Sequence, residues 1–363
     1  MFSHSAKYSN KYLFLRIQMS YTVTIHPSEH QFEVKEGEAI LDAAMRQNID
    51  LPYGCRGGAC GSCAGYIVKG EVYYDDEPIA LDDEMKANKQ ALFCMAKTKS
   101  NLDISIEEIE GLSQIHVKTL ACHVSSKNKL CHDVISLQLT LDNNERLQYL
   151  AGQYIEFILE DDKRRAFSIA NAPHKDNHLE LHIRHVDGGL FTDFLFESMP
   201  ENSSLQMQGP LGSFYLREGR NRPIIMMGGG TGFGPLKAMI EHIEYVNFDQ
   251  KIYLFMGVRA LRDLYMNEMA QQWIAANPNL IFTPVLSEPM DNDNWSGETG
   301  FVHQAVAKQF SDLSGFDIYM SGPPPMVNAA VDVFTRQGAK KENMFSDAFE
   351  YSADATQAIA AKK

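Results

Sequence analysis

From Tyr21 the chain alternates apolar and polar residues in two segments on either side of a His26-Pro27-Ser28 turn, the pattern of a hairpin with one buried face. The stretch 38–50 then places Ile40, Leu41, Ala44 and Met45 at helical spacing, which predicts an amphipathic helix and, with the hairpin, a compact unit of strands plus helix. Alternation returns at Leu102, Ile104 and Ile106, and the acidic run 107–111 reads as a linker. From His116 to Leu216 short β-rich segments follow one another at the spacing of a small antiparallel barrel, interrupted by one helical stretch at 190–199. Beyond Pro223 apolar strand runs alternate with amphipathic helices, which implies a parallel sheet with helices on both faces. The expected fold is multidomain: an α+β unit, an antiparallel β-barrel and an α/β parallel-sheet unit.

Length agrees with this division, since 363 residues exceed what one core organises at about 150 residues per domain. The expected boundaries are 20–110, 111–218 and 219–351, with 352–363 a flexible tail. Residues 1–18 carry basic residues and no acid, as a transit peptide would, but no apolar core or long Arg/Ser-rich stretch follows. Residues 1–19 are therefore expected to be a disordered or misassigned extension, and cytoplasm is the expected location. No apolar run approaches the roughly 20 residues of a membrane-spanning helix, so no membrane partner is expected. A net charge of −14 argues against nucleic acid, because phosphate binding needs clustered Lys and Arg. Residues 20–110 hold 17 acidic residues against 8 basic ones, which suits either an acidic docking face or an ordinary solvated surface.

Four of the six cysteines fall within residues 55–94. Cys55, Cys60 and Cys63 have the spacing C-x4-C-x2-C, and Cys94 follows after 30 intervening residues. Two irons bridged by sulfides need four thiolates, three of them on one tight loop, and Gly57, Gly58 and Gly61 let such a loop close. A zinc site usually shows two paired C-x2-C knuckles, whereas here the fourth cysteine stands alone. Residues 21–110 resemble plant-type [2Fe-2S] ferredoxins, including the Leu51-Pro-Tyr-Gly-Cys55 entry to the loop, which implies a β-grasp fold and a low-potential cluster that takes one electron at a time. Cys122 and Cys131 lie outside the pattern.

Arg165-Ala166-Phe167-Ser168 resembles the R-x-[YF]-[ST] motif of the ferredoxin-NADP reductase superfamily. An Arg can face a flavin pyrophosphate, an aromatic ring can pack on the isoalloxazine, and a hydroxyl can reach N5. Taken alone, a surface Arg followed by a core Phe explains these residues better. Gly152-Gln153-Tyr154 before them, the strand His182-Ile183-Arg184, and Gly188, Gly189 and Thr192 at a helix start all match the family's flavin site, the last as a phosphate-binding turn. FAD rather than FMN is implied by resemblance to reductases with an attached ferredoxin domain.

Gly230-Thr231-Gly232 lies in a Gly-rich turn between a strand-like run and a helix, which in this position resembles the family's NAD(P) loop. Arg259 with Asp263 and Tyr265 is similar to the segment flanking the adenosine ribose, and Ser321-Gly322-Pro323 to the segment beside the nicotinamide, with Ser where many members have Cys. Phe349 stands in a terminal acidic-aromatic element that packs over the flavin in this family, although a core aromatic is the plain alternative. The resemblance assigns chemistry to Ser168, Ser321 and Phe349. It implies hydride transfer from NAD(P)H to FAD, then single-electron steps through the cluster to a protein acceptor. This domain order resembles the reductase components of aromatic-ring oxygenases and of soluble methane or phenol hydroxylases, and the segment 182–196 with the Asp-Ala-Phe ending is similar to the CDP-6-deoxy-3,4-glucoseen reductase type, whose acceptor is a dehydrase component. NADH is expected over NADPH because no Ser/Lys cluster for a 2′-phosphate follows Gly257, while Arg259 and Arg262 keep NADPH open. The rival readings are a non-catalytic ferredoxin-like carrier, a diaphorase without a dedicated partner, and a zinc-stabilised scaffold.

Overall fold

In the computed structural model, which describes residues 19–109, 115–160 and 163–348, the two alternating segments form β1 (Ser20–His26) and β2 (Gln31–Lys35). They pair antiparallel, with Val23, Ile25, Phe32 and Val34 turned to one face and buried. The helix α1 (Ile40–Arg46) covers that face with Ile40, Leu41, Ala43 and Ala44. The unit is completed by β3 (Ala64–Lys69), β4 (Val72–Tyr73), α2 (Asp83–Ala87), β5 (Gln90–Leu92), β6 (Lys97–Thr98) and β7 (Leu102–Ser105). Its main sheet runs β2-β1-β7-β3-β5, with β1 and β7 parallel and the other pairs antiparallel, so one helix lies across a mixed sheet as in a β-grasp.

The second unit contains β8 (Lys118–Lys129), β9 (Val134–Leu141), β10 (Tyr154–Ile158), β11 (Arg164–Ser168), β12 (Leu179–Arg184) and β13 (Ser204–Leu211). They form one antiparallel sheet in the order β11-β10-β13-β8-β9-β12, and a bridge between Ile169 and Leu181 joins its two edges into a barrel. The helical stretch at 190–199 is shorter than its pattern suggests: α3 (Leu190–Asp193) gives way to a π turn over 194–198. Pro200 follows at once and disfavours helical geometry in the residue before it.

The third unit alternates β14 (Ile224–Gly229), α4 (Phe233–Val246), β15 (Ile252–Val258), α5 (Asn267–Ala276), β16 (Leu280–Leu286), β17 (Glu298–Thr299), α6 (Val302–Gln309), β18 (Asp317–Gly322), α7 (Pro324–Arg336) and β19 (Met344–Ala348). All its strands are parallel, in the order β17-β16-β15-β14-β18-β19. The chain leaves β14 in one direction and returns beside it at β18, so the C-terminal ends of these two strands form the switch point where such sheets open a crevice. The Gly-rich turn 230–234 and the segment 322–324 both leave from there.

The first unit is sewn to the barrel around Tyr53 and Gly54. Tyr154 and Leu211 of the barrel pack into the ferredoxin-like core. Ser213 Oγ donates to the Tyr53 carbonyl at 2.6 Å and accepts from Tyr53 N–H at 3.0 Å, while Tyr154 Oη donates to the Gly54 carbonyl at 3.0 Å. Ser213→Ala leaves the half-buried Tyr53 N–H without its partner and is expected to cost about 1–3 kcal/mol, read as a lower denaturation midpoint in urea.

Candidate functional site

The segment between α1 and β3 is a loop of backbone aimed at sulfur. Gly57 N–H and Ala59 N–H each point at Cys55 Sγ over 3.4 Å, and Cys55 N–H points at Cys60 Sγ over 3.4 Å. Arg56, Gly58 and Gly61 take positive φ there, and a Cβ on Gly58 would lie 2.9 Å from Pro78 Cβ. The thiols associate as two pairs. A hydrogen bond shared with Cys60, reinforced by burial, pushes Cys55 up, and the same bond pulls Cys60 down to about 6 against its burial. Cys63 is likewise pushed up and Cys94 pulled down by the bond they share. A single tetrahedral zinc holds its sulfurs at about 2.3 Å and therefore brings all four close together. Among the described residues, the ligand triples within 4.8 Å of one another are Cys131, His132, Asp133 and His185, Asp193, Glu197, with no three of the loop cysteines among them. A set of four thiols in two pairs fits two irons better than one ion.

Two of these cysteines line a cavity of about 540 Å³ that the three units share. Cys55 and Cys94 form one wall, beside Gly54, Arg56 and Gly57. Strand β11 supplies Arg165, Ala166, Phe167 and Ser168, and β12 supplies His182 and Arg184. Gly189 and Thr192 stand at the start of α3, while Thr231 and Pro323 mark the switch point of the parallel sheet. Arg56, Arg164, Arg165 and Arg184 make the cavity rich in guanidinium, and Phe167 and Phe191, with ring centroids 5.8 Å apart, give it an aromatic face. That donor set suits an aromatic cofactor with a pyrophosphate.

Other predicted residues stand behind the wall. Ile183 points into the barrel core and is fully buried, and Gly188, Gly230, Gly232, Ser321 and Gly322 do not line the cavity. Gly232 packs so closely on the Ser321 carbonyl that any Cβ there would run into it. Ser321 is itself fully buried, and its hydroxyl has no hydrogen-bond partner among the described residues. Cys60 and Cys63 lie away from the cavity, and Arg259 is exposed at the end of β15. The turn before α3 is already largely satisfied: Gly188 N–H donates to Asp193 at 3.0 Å, and Thr192 Oγ1 donates to the Val186 carbonyl at 2.9 Å. Phe349 lies outside the described residues.

Several cavity residues carry no role expected from the sequence, among them Arg56, Glu156, Arg164, Phe191 and the carboxylate of Asp347. Asp347, on β19 and opposite Ser321 in register, is 6% exposed and accepts a hydrogen bond from Ser168 Oγ at 3.2 Å. Burial pushes its carboxyl up to about 7, with the Ser168 hydrogen bond opposing and the neighbouring Cys55 adding to the rise. The signal was in the Ser346-Asp347-Ala348 string, but the contact to Ser168 spans 179 residues and only the fold reveals it.

Three family models match the chain in the same order as the three units. A 2Fe-2S iron-sulfur cluster binding domain covers residues 23–99, an oxidoreductase FAD-binding domain covers 121–215, and an oxidoreductase NAD-binding domain covers 226–332. Among similar proteins, the CDP-6-deoxy-L-threo-D-glycero-4-hexulose-3-dehydrase reductase of Yersinia pestis is 38% identical over 331 residues, which span 91% of this chain and 99% of that protein. The phenol hydroxylase P5 protein of Acinetobacter pittii is 34% identical over 344 residues, covering 93% and 96%. Among solved structures, an Amycolatopsis cytochrome P450 reductase superposes with a TM-score of 0.76 at 28% identity, over 91% of this chain and 98% of that one.

The raised carboxyl at Asp347 has a definite sign. Below about pH 4 it is protonated folded or unfolded, so it contributes nothing to the difference; above about 7 the fold must carry a buried carboxylate that the unfolded chain hydrates freely. Stability is therefore expected to fall as pH rises through that window, by about 4 kcal/mol at most. Asp347→Asn removes the slope, so its melting temperature relative to the parent should rise between pH 5 and pH 8.5; a constant difference across that range would contradict the assignment.

Proposed function

Because the chain belongs to the family of NAD(P)H-dependent iron–sulfur flavoprotein reductases that join a [2Fe-2S] ferredoxin domain to FAD- and NAD-binding domains, we propose that it oxidises NADH and delivers single electrons to a dehydrase or oxygenase component. The family reaction moves electrons from NAD(P)H through FAD and the cluster to a partner protein. The observation that supports the reading most is the shared cavity, onto which two cluster cysteines, the flavin segment and both switch-point loops open. Of the two partner classes the dehydrase is favoured, since the dehydrase reductase of Yersinia pestis is 38% identical to this chain over nearly its whole length.

FAD, when bound, accepts the hydride as a pair of electrons and passes them on singly. The chain's own residues have separable tasks in this proposal. Cys55, Cys60, Cys63 and Cys94 hold the cluster. Arg165 and Arg184 neutralise the flavin pyrophosphate, Phe167 packs on the ring system, and Gly189 and Thr192 shape the wall beside it. Ser168 offers its hydroxyl at the cavity wall, and the Asp347 carboxyl beside it holds a proton below about pH 7. Gly230, Thr231 and Gly232 bring backbone close to the nucleotide pyrophosphate at the start of α4. Pro323, which lines the cavity, stands beside the nicotinamide, with Gly322 and the buried Ser321 supporting it from behind the wall. Arg259 takes the ribose end. The divisions at 110 and 218 and a cytoplasmic location complete the proposal. Among the described residues no helix is long and apolar enough to cross a membrane.

Cys60→Ser separates this reading from its rivals. It is expected to abolish cytochrome c reduction while leaving NADH-driven ferricyanide reduction intact, because only the first needs the cluster. Survival of both activities would remove the cluster from the exit path, and loss of both would mean that the variant had lost the flavin site as well. Initial rates with NADH and NADPH should favour NADH in kcat/KM; a preference for NADPH would assign Arg259 and Arg262 to a 2′-phosphate.

A further inference from the structure

Strand β12 carries two different surfaces. Leu179, Leu181 and Ile183 face the barrel core and are at most 2% exposed, and the alternate residues Glu180, His182 and Arg184 face the other way. That outer stripe meets the nucleotide unit rather than water. Lys237 Nζ donates to Glu180 Oε2 at 2.8 Å and to the Ala170 carbonyl at 2.9 Å. A Cβ on Gly234 would stand 3.7 Å from His182 Cβ, and one on Gly230 would stand 2.9 Å from the Arg184 guanidinium. Gly230 stands in the turn before α4, and Gly234 and Lys237 follow on one side of the helix, so successive outward residues of β12 each meet a successive residue of the nucleotide unit. A slide of one position along the strand breaks all three contacts together.

The stripe is also closed by hydrogen bonds. Glu180 Oε1 accepts from Ser136 Oγ at 3.0 Å and lies 3.1 Å from His182 Nε2, and His182 Nδ1 lies 3.2 Å from Tyr265 Oη of the nucleotide unit. A carboxylate on one side and a hydroxyl on the other assign the imidazole proton to Nε2, with Nδ1 accepting from Tyr265. Glu241 extends the contact, 3.1 Å from Lys237 and 3.2 Å from Lys175, and it accepts from Ala172 N–H at 3.2 Å. Lys237 is 3% exposed. Buried charges held this way add little net stability over apolar packing, but they tolerate few geometries.

We propose that the outer stripe of β12, locked to α4 through Lys237, sets how far the nucleotide loop stands from the flavin cavity, which makes Lys237 a positioning residue for hydride transfer. This rests on the reading above that hydride passes from nicotinamide to flavin at this cavity. Misplacing reacting groups by an ångström can slow a transfer on the order of 100-fold, while binding of the remote parts of the nucleotide is untouched.

The test uses the holoprotein under anaerobic single-turnover conditions, following flavin bleaching by NADH and the long-wavelength charge-transfer absorbance of the NADH–flavin complex. Lys237→Met is expected to slow bleaching on the order of 100-fold and to weaken the charge-transfer band per bound flavin, with NADH affinity nearly unchanged. Tyr265→Phe, which buries no new charge, should slow bleaching about 5-fold and decides the matter if Lys237→Met fails to retain flavin. Lys308→Met, which removes an exposed ion pair with Glu298 in the same unit, should match the parent. Parent-like bleaching and charge-transfer absorbance in Tyr265→Phe and in any flavin-retaining Lys237→Met would overturn the proposal. So would an equal effect from Lys308→Met, or a Lys237→Met variant that loses thermal stability with an undiminished charge-transfer band. A parent protein whose flavin NADH does not bleach would instead overturn the functional reading beneath it.

Discussion

A nicotinamide gives up two electrons together and a two-iron cluster takes them one at a time, so the flavin between them has to lie within reach of both. This requirement explains why three units of unrelated architecture converge on one cavity. The barrel contributes the edge where β11 and β12 meet, the parallel sheet contributes its switch point, and the cysteine loop reaches in with Cys55 and Cys94. Each contribution is the part of its fold where backbone leaves regular pairing, and there side chains and loops are free to be shaped for binding.

Holding three units at one point raises a packing problem that apolar contact alone does not solve. Greasy surfaces stick in many registers, whereas hydrogen bonds and buried ion pairs are satisfied in few. Both seams use the second device at their centre. At the ferredoxin seam, Ser213 and Tyr53 exchange hydrogen bonds reciprocally, and Arg56 spans Asp42 at 2.9 Å and Glu156 at 3.4 Å. At the nucleotide seam, Lys237, Glu180 and His182 form the buried chain. Apolar residues such as Tyr154 and Leu211 fill the space around these contacts.

Local pattern and motif were enough to read the units and their order, and they named about half of the residues that line the cavity. The hairpin of Tyr21 onward, the helix at Ile40 and the strand-helix alternation after Pro223 all depend on neighbours within a few residues, and all are present in the fold. What escaped depends on distant partners. Asp347 became a site residue only when β19 was laid beside β18, and Ser213 only when its loop met Tyr53, 160 residues away in sequence. The turn at Gly188 and Thr192 is a different case: its composition suits a phosphate, and Asp193 and Val186 take two of its donors from within.

The nucleotide seam shows which further signal was available. Residues 233–241 of α4 are buried without a break, so the helix has no solvent face there, and yet Lys237 and Glu241 sit four apart within it. A helix buried all round belongs between two layers, and a charge pair at that spacing inside it has to meet complementary charge on one of them. The alternation of Glu180, His182 and Arg184 supplies that charge on a strand whose other face is core. An amphipathic strand predicts a polar face, which is a weaker statement than an exposed one. Matching a buried charge pair in a helix to a charged stripe in a strand links two units before any contact between them is seen.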